Sequence, residues 1–462
     1  MPDAPVIPDL IEELRWRGLL HQCTDEAGLR EHLATGTRKI YCGFDPTADS
    51  LTIGNLVPIM LLAHAKRAGH EPIVVMGGGT GLIGDPSGKS AERTLMTPET
   101  VAANIAGQRP IFDAVLGAVE GPPHTVVNNL DWLGELGYID ALRDIGKHFS
   151  VNMMMQKESV KARLENREQG ISYTEFSYMI LQAYDFAYLY EHAGVTVQAG
   201  GSDQYGNIVA GADLIRRTEA QIGGPSGSEG SGNTSDITSI ENAGESPNDT
   251  TQPTFGLTAP LVTKADGGKF GKTESGAVWL TANRTSPYAY FQFWLNATDD
   301  DARNWIKVFT FLDEPTIKDL NARHDEAPHK RELQRTLARE ATRILHGDDA
   351  MERAEAAGKA LFSGQLAGLD EATLNEVFAD VPSSTHSRAD LEGEGVDPVT
   401  LLKQVGLASS NREAREFLSS GSVSVNGEKI GIDTRLVSSH LLHGSVMAIR
   451  RGKKKWHLTR WA

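Results

Sequence analysis

The stretch YCGFDPTADSLTIGN, Tyr41 to Asn55, decides the fold. TRKI precedes it, and a long apolar run, Leu56 to Ala68, follows. The order reads as strand, polar turn and helix. Asp45, Thr47, Asp49, Ser50 and Thr52 occupy the turn, and Gly54 stands just before the helix. Pro58 suits a first helical turn, where its missing N–H costs nothing. A helix N-terminus carries unpaired N–H groups and partial positive charge, so it attracts anions. In α/β folds, a strand ending in a glycine-containing turn at a helix start is where nucleotide phosphates dock. An ordinary strand-to-helix turn has the same pattern, so a ligand needs support from elsewhere in the chain.

The chain has 462 residues, room for about three domains. Its 40% hydrophobic and 23% charged content describes a globular protein with an ample core. A net charge of −16 argues against non-specific nucleic-acid binding but permits a local basic patch. Two cysteines, Cys23 and Cys42, exclude a disulfide framework and fit a reducing, cytoplasmic setting. MPDAPVIPDLIEELRWRG has no basic start followed by an apolar run, so no signal peptide is expected. No apolar run of about 18 residues suggests a membrane span.

Upstream of the turn, residues 8 to 35 read as helical, with Leu10, Ile11, Leu14, Leu19 and Leu20 near helical period. Downstream, PIVVM (72–76) reads as a buried parallel strand, followed by GGGTGLIGDPSGKS (77–90). Gly79 to Gly84 matches GxGxxG, which would suggest a nicotinamide dehydrogenase. The residues after it are turn-like, however, and Gly88-Lys89-Ser90 lacks the first glycine of a P-loop, since Ile83 holds that position. What remains is a glycine loop with an acid, Asp85, and two cations, Lys89 and Arg93. Thr97-Pro98-Glu99 opens a helix over 97–120. HTVVNNLDWL gives a strand and a turn, and 136–168 reads as mostly helical.

In TEFSYMILQAYDFAYLY (174–190), Tyr178, Gln182 and Asp185 are spaced by four and three, so a helix puts them on one face. VTVQAGGSDQYGNI (195–208) is a second strand-to-helix turn, with Ser202 or Asp203 as a cap and Gln204 facing the strand ends. Two such turns flank the ligand crevice of an open α/β sheet. Residues 223–254 contain no aromatic, Lys or Arg and read as a disordered surface insertion. FGLTAPLVTKADGGKFGKTESGAVWL (255–280) carries Lys264, Lys269 and Lys272 in a glycine-rich loop, which suits a leaving polyphosphate.

From 283 to 378 the pattern is helical, and 381–397 reads as a polar linker. In the last 65 or so residues, two short helices precede a hairpin signalled by Asn426-Gly427. No acid follows Asp433, whereas Arg435, Arg450, Arg451, Lys453, Lys454, Lys455 and Arg460 do. That segregation points to a polyanion such as RNA.

Taken together and in this order, Tyr41–Asn55, the glycine loop with Asp85, the Tyr178/Gln182/Asp185 helix, GGSDQYGN and KFGKT resemble bacterial tyrosyl-tRNA synthetases. The resemblance covers nearly the whole chain except 223–254. It implies an α/β fold with a Rossmann-like parallel-sheet catalytic domain over 1–282. A helical anticodon-arm domain (283–380), a linker (381–397) and a small α+β RNA-binding module (398–462) complete it. TIGN (52–55) resembles the HIGH signature of class I synthetases, and KFGKT (269–273) the KMSKS loop.

By this resemblance, Tyr41 and Asp185 hold the substrate phenol, Asp85, Tyr178 and Gln182 its ammonium, and Gln204 lies near its carboxylate. Cys42, Gly43, Asp45, Gly54 and Asp203 line the adenylate. Lys89, Arg93, Lys269 and Lys272 neutralise pyrophosphate, and Thr47, Thr52 and Asn55 join Lys269 and Lys272 in catalysis. ATP enters as a substrate with Mg²⁺ on its phosphates. No tightly held cofactor or protein-bound metal is implied, and the partners are tRNA(Tyr), L-tyrosine, ATP and a second copy of the chain. Thr52 and Asn55 replace both HIGH histidines. They keep hydrogen-bonding groups but supply no imidazolium. That substitution leaves a non-catalytic RNA-binding protein as a rival, alongside the dehydrogenase. Asp185 argues against the tryptophanyl enzyme, whose pocket should lack a carboxylate facing the phenol position.

Overall fold

The structure, a computed structural model, describes residues 9–85, 95–157, 160–161, 171–222, 252–268, 270–273, 276–379, 381–452 and 455–462. By internal contact the chain divides into two units. The first is Met1–Arg284 with Asp300–Ala322, the second Thr285–Asp299 with Arg323–Ala462.

The first unit is built on a six-stranded sheet. Its strands are β1 (Gln22–Cys23), β2 (Lys39–Phe44), β3 (Glu71–Met76), β4 (Thr125–Asn128), β5 (Val195–Gly201) and β6 (Phe255–Ala259). Their order is β1-β6-β5-β2-β3-β4. All neighbours are parallel except β1, which runs antiparallel to β6. The central strands are buried throughout, as a sheet covered on both faces requires. From β2 the chain winds one way through β3 and β4, then returns to add β5 and β6 on the other side. The order therefore reverses between β2 and β5, and a crevice opens beyond their C-terminal ends.

Helix Leu56–Arg67 leaves the β2 turn with nearly every side chain buried. Its last turn carries His64, Lys66 and Arg67, which complement the helix dipole. Thr97 caps helix Pro98–Gly117 at Thr100 N–H, as its sequence predicts. Helix Tyr173–Ala193 starts at Ser172, whose hydroxyl accepts from Glu175 N–H at 3.3 Å. It stops at Gly194, where φ is 66°.

The expected single helical stretch over 8–35 is two helices, Leu10–Arg17 and Glu26–Ala34, with β1 between them. Gly18, at φ 76°, ends the first, and Asp25 caps the second. Residues 141–148, inside a stretch read as mostly helical, form a short π-helix, Ala141–Ile145, and a 3₁₀ turn, Gly146–His148, rather than α-helix. Residues 300–322 belong by contact to the first unit. Arg17 explains part of this, because its guanidinium donates to the carbonyls of Lys307 (2.8 Å), Thr310 (2.9 Å) and Leu312 (2.7 Å). The insertion 223–254 lies outside the described residues up to residue 251.

The second unit contains helices Pro287–Leu295, Glu332–Ser363 and Glu371–Val377. The long one is broken at Gly347 (φ 82°, ψ 171°). A five-stranded sheet follows, ordered Glu428–Lys429, Val423–Val425, Val446–Arg451, Lys455–Trp461, Ser383–His386. Asn426 and Gly427 both have positive φ, 52° and 93°, as the expected hairpin turn requires. A Cβ on Gly427 would fall 1.5 Å from the Gly364 carbonyl oxygen, so no larger residue fits there. The 381–397 stretch is not merely a linker, since Ser383–His386 pairs in parallel with Leu458–Trp461. SSTH has no apolar alternation, which hid the strand. Its anchor is polar: Ser384 Oγ lies 2.7 Å from His386 Nε2 and 2.9 Å from His457 Nε2.

Candidate active site

The crevice at the strand reversal is a cavity of about 410 Å³. Tyr41, Cys42, Gly43, Asp45, Thr47, Thr52, Gly54, Asn55, Asp85, Tyr178, Gln182, Asp185, Asp203 and Gln204 all line it. Every described side chain that the family resemblance assigned to the site is therefore in one place, whereas Lys264 of the glycine-rich loop does not line the cavity. Lys89, Arg93 and Lys269 lie outside the described residues. For Lys272 only the backbone is described, opposite Ala277 in a short hairpin.

The floor of the cavity is the best-defined part. Tyr41, on β2, is buried and packs its ring on Phe186 at 5.5 Å. Its hydroxyl has no hydrogen-bond partner among the described residues. Such a group is destabilising unless a ligand satisfies it. Across the floor lies Asp185, 4% exposed. Trp132 Nε1–H donates to its Oδ1 at 2.8 Å, and Asn129 Nδ2 to its Oδ2 at 2.9 Å. Burial pushes this carboxyl up to about 7, and the two donors oppose the shift. Asn129 is itself fixed, because Gly79 N–H donates to its Oδ1 at 2.8 Å. Each Asp185 oxygen keeps a lone pair for a further donor. A buried acceptor facing a buried phenol suits a ligand hydroxyl.

Asn129 and Trp132 escaped the sequence reading. They follow β4, and the turn after a parallel strand is where site residues gather in such sheets. That position was the available signal.

The middle wall is a chain of oxygens and amides. Tyr178 OH donates to Asp45 Oδ2 at 3.1 Å, and Thr80 Oγ1 to Asp45 Oδ1 at 3.0 Å. Gln204 Nε2 donates to Asp85 Oδ2 at 2.8 Å. Asn207 Nδ2 ties Gln182 Oε1 (2.9 Å) to Gln204 Oε1 (3.1 Å). Lys157 donates to Asn207 Oδ1 at 3.2 Å and to the Gly206 carbonyl at 2.8 Å. Burial lowers this ammonium to about 8, against the pull of Asp85. Asp85, Tyr178 and Gln182 thus offer oxygen atoms to a cation. Neither Ser202 nor Asp203 caps a helix as anticipated: residues 202–204 form a tight turn without a side-chain cap.

The rim is made by backbone. Ile53 N–H donates to Val278 O at 2.9 Å, and Leu280 N–H to Leu51 O at 2.9 Å. Thr52 and Trp279 form a bridge between the same segments. TIGN is thereby laced to the strand that follows KFGKT. Gly271, at φ 74°, lies where a Cβ would come within 2.3 Å of Ile53 Cγ2. Phe270 stacks on Phe309 (5.2 Å) and meets Trp305 edge-on (5.0 Å). Burial pushes the Cys42 thiol up to about 12, so it stays neutral. Among the described residues, no histidine lines the cavity.

A doubly wound, mostly parallel sheet with a polar cavity at its strand reversal has the architecture of a Rossmann-type nucleotide-binding domain. A family model for "tRNA synthetases class I (W and Y)" matches residues 34–363. One for the "Tyrosine--tRNA ligase SYY-like C-terminal domain" matches 373–459. A tyrosine–tRNA ligase of Geobacillus kaustophilus is 48% identical over 456 residues, covering 98% of this chain and 100% of that one. One from Aliivibrio fischeri is 46% identical over 456 residues, covering 98% of this chain and 99% of that one. A crystal structure of a C-terminally truncated Aspergillus nidulans mitochondrial tyrosyl-tRNA synthetase is also similar. It gives a TM-score of 0.65 at 28% identity, covering 77% of this chain and 94% of that one. The chain belongs to the class I tRNA synthetase family of the tryptophan and tyrosine type, among the bacterial-type tyrosyl-tRNA synthetases.

Proposed function

We propose that the chain works as a tyrosine–tRNA ligase and that the cavity carries out both halves of the reaction. The tyrosine carboxylate attacks the α-phosphorus of ATP, the bond to the bridging oxygen breaks, and pyrophosphate leaves with the electron pair. A ribose hydroxyl at the 3′ end of tRNA(Tyr) then attacks the tyrosyl carbonyl, and AMP leaves. The carboxylate is already a nucleophile, so catalysis is positioning plus electrostatic stabilisation.

The single observation that carries this reading is the floor: an unsatisfied Tyr41 hydroxyl and the lone pairs of Asp185. A phenol hydroxyl meets both, whereas phenylalanine leaves them unpaired. Tyrosyl-tRNA synthetases are themselves the standard illustration of that kind of rejection.

In this reading Asp85, Tyr178 and Gln182 hold the ammonium and Gln204 lies beside the carboxylate. Cys42, Gly43, Asp45, Gly54 and Asp203 border the nucleotide. Thr47, Thr52 and Asn55 meet its oxygens, while Lys89, Arg93, Lys269 and Lys272 take up the growing charge on pyrophosphate. Mg²⁺ arrives on the ATP phosphates. Tyrosine-dependent ATP–pyrophosphate exchange tests the reading. Its absence would leave RNA binding alone, and exchange driven equally by phenylalanine would refute the floor assignment.

The same domain scheme is part of the proposal: catalytic residues 1–282, a helical anticodon-arm domain to 380, and an RNA-binding module at the C-terminal end. Because Ser383–His386 pairs with Leu458–Trp461, we take the functional cut before residue 381. Removing 381–462 should spare exchange and abolish tRNA charging. We also propose a homodimer. Tyr138, Ile139, Leu142, Val151, Met153 and Tyr173 are exposed apolar side chains close together in sequence, and a second copy would cover them. Sedimentation of the chain and of an Ile139→Asp variant checks this. No described helix is long and apolar enough to cross a membrane. Free cysteines and a tRNA substrate support action in the cytoplasm.

A further inference from the structure

Lys157 lies outside the cavity lining, yet its ammonium is drawn into the protein. It directly follows helix Val151–Gln156 and donates to the Gly206 carbonyl at 2.8 Å and to Asn207 Oδ1 at 3.2 Å. Burial holds the ammonium down at about 8, a cost that a lysine left in water would avoid. Its partner Asn207 is 8% exposed and stands in the first turn of helix Tyr205–Ile222. Neither Lys157 nor Asn207 lines the cavity, whereas Gln182, Gln204 and Asp85 do.

An ammonium has donors only. The end of Asn207 that faces Lys157 must therefore be its oxygen, which leaves Nδ2 to donate. Its protons go to Gln182 Oε1 at 2.9 Å and Gln204 Oε1 at 3.1 Å. With its oxygen engaged, Gln204 turns Nε2 to Asp85 Oδ2 at 2.8 Å and to Asp203 Oδ2 at 3.3 Å. A carboxylate only accepts. A donor-only group at one end and an acceptor-only group at the other thus orient the amides between them in a single direction. The two ends of a primary amide are nearly equal in shape, so without Lys157 the Asn207 amide could turn over at little steric cost. Gln182 would then set an N–H where it now holds an oxygen with a second lone pair.

We propose that Lys157 is a positioning residue for the amino acid's ammonium: through Asn207 it keeps the oxygen of Gln182, not its N–H, available to that cation. This rests on the reading that Asp85, Tyr178 and Gln182 hold the ammonium of tyrosine. Loss of Lys157 also relieves its repulsion of the incoming cation, but across the width of Asn207. A turned Gln182 opposes the cation at contact, so the net effect is weaker binding.

The test is binding to the full chain, read by displacement of labelled L-tyrosine with tyramine and para-ethylphenol as competitors. Both carry the phenol, and only tyramine carries the ammonium. Lys157→Met should weaken L-tyrosine and tyramine roughly tenfold, the scale of one hydrogen bond to a charge, and leave para-ethylphenol within about twofold. Lys157→Arg keeps a cationic donor and should recover most of the loss. Asn207→Leu should match Lys157→Met, and the double variant should fall within about twofold of either, because both break one chain of hydrogen bonds. Should Lys157→Met fail to fold, Asn207→Leu carries the same contrast. In tyrosine-dependent ATP–pyrophosphate exchange the loss should sit in KM for tyrosine, with kcat within about twofold. That assay contains no tRNA, so a lysine that served only RNA would leave it unchanged.

Unchanged tyramine affinity in a Lys157→Met protein that melts like the parent would overturn the proposal. So would an equal loss for para-ethylphenol, the mark of a general distortion, or additive losses in the double variant. A parent chain that holds tyramine no better than para-ethylphenol would instead remove the ammonium reading on which the proposal stands.

Discussion

The floor and the rim of the cavity are built from different materials. At the floor, side chains are the groups held: Trp132 and Asn129 fix Asp185, and the backbone N–H of Gly79 fixes Asn129. Tyr41 and Asp185 are buried, so each hydrogen bond there is strong and each missing partner is expensive. At the rim, main chain holds main chain, and side chains project from a frame that does not need them. The contrast suggests a division of labour. In the proposed reaction the floor would choose the amino acid, and the rim would handle charge that develops later.

If that division holds, damage at one end should leave the other intact. Lys272→Ala should slow adenylate formation by roughly 100- to 1,000-fold, the scale for removing a preorganised electrostatic partner. Equilibrium dialysis should find tyrosine affinity nearly unchanged; equal losses in both would erase the contrast. Asp185→Ala should cut the kcat/KM preference for tyrosine over phenylalanine by roughly 50-fold, the scale of a charge-assisted hydrogen bond. KM for ATP should hardly move.

Acidification gives a third, smaller effect. Asp185 sits at about 7, so its charged form drops roughly tenfold between pH 8 and pH 6. Preference for tyrosine should weaken accordingly, and an unchanged ratio would show that the carboxylate's charge is irrelevant. Stability should move the opposite way. The folded-state value lies above the unfolded one, so the folded protein takes up a proton that the unfolded chain does not. This carboxyl therefore destabilises the fold at pH 8, and the destabilisation is relieved as pH falls through 7. Relative to Asp185→Ala, the wild-type melting temperature should be higher at pH 6 than at pH 8. The smallest change is Trp132→Phe, which removes one donor to Asp185. It should weaken tyrosine binding roughly fivefold by calorimetry, with no change in ATP binding.

The two regions also differed in how legible they were. Tyr178, Gln182 and Asp185 were readable because a helix turns spacings of four and three into a shared face. The strand-to-helix turns at 41–55 and 195–208 were readable from their glycines and polar residues. Asn129 and Trp132 were not, because their partner is 53 to 56 residues away and only the sheet brings them together. The strand at Ser383–His386 was invisible for a related reason: it is held by hydroxyl and imidazole groups, not by apolar alternation. The split of residues 8–35 into two helices turned on Gly18 and Asp25, stop and start signals that the apolar spacing masked.

The stitching of TIGN to the segment after KFGKT has an evolutionary consequence. Amide and carbonyl groups are the same whatever amino acid carries them, so heredity can rewrite the letters at 52 and 55 without moving the scaffold. Imidazoles at these two positions could therefore be exchanged for a hydroxyl and an amide in small steps. The backbone bonds of Leu51 and Ile53 to Leu280 and Val278 would hold the spacing through each such step.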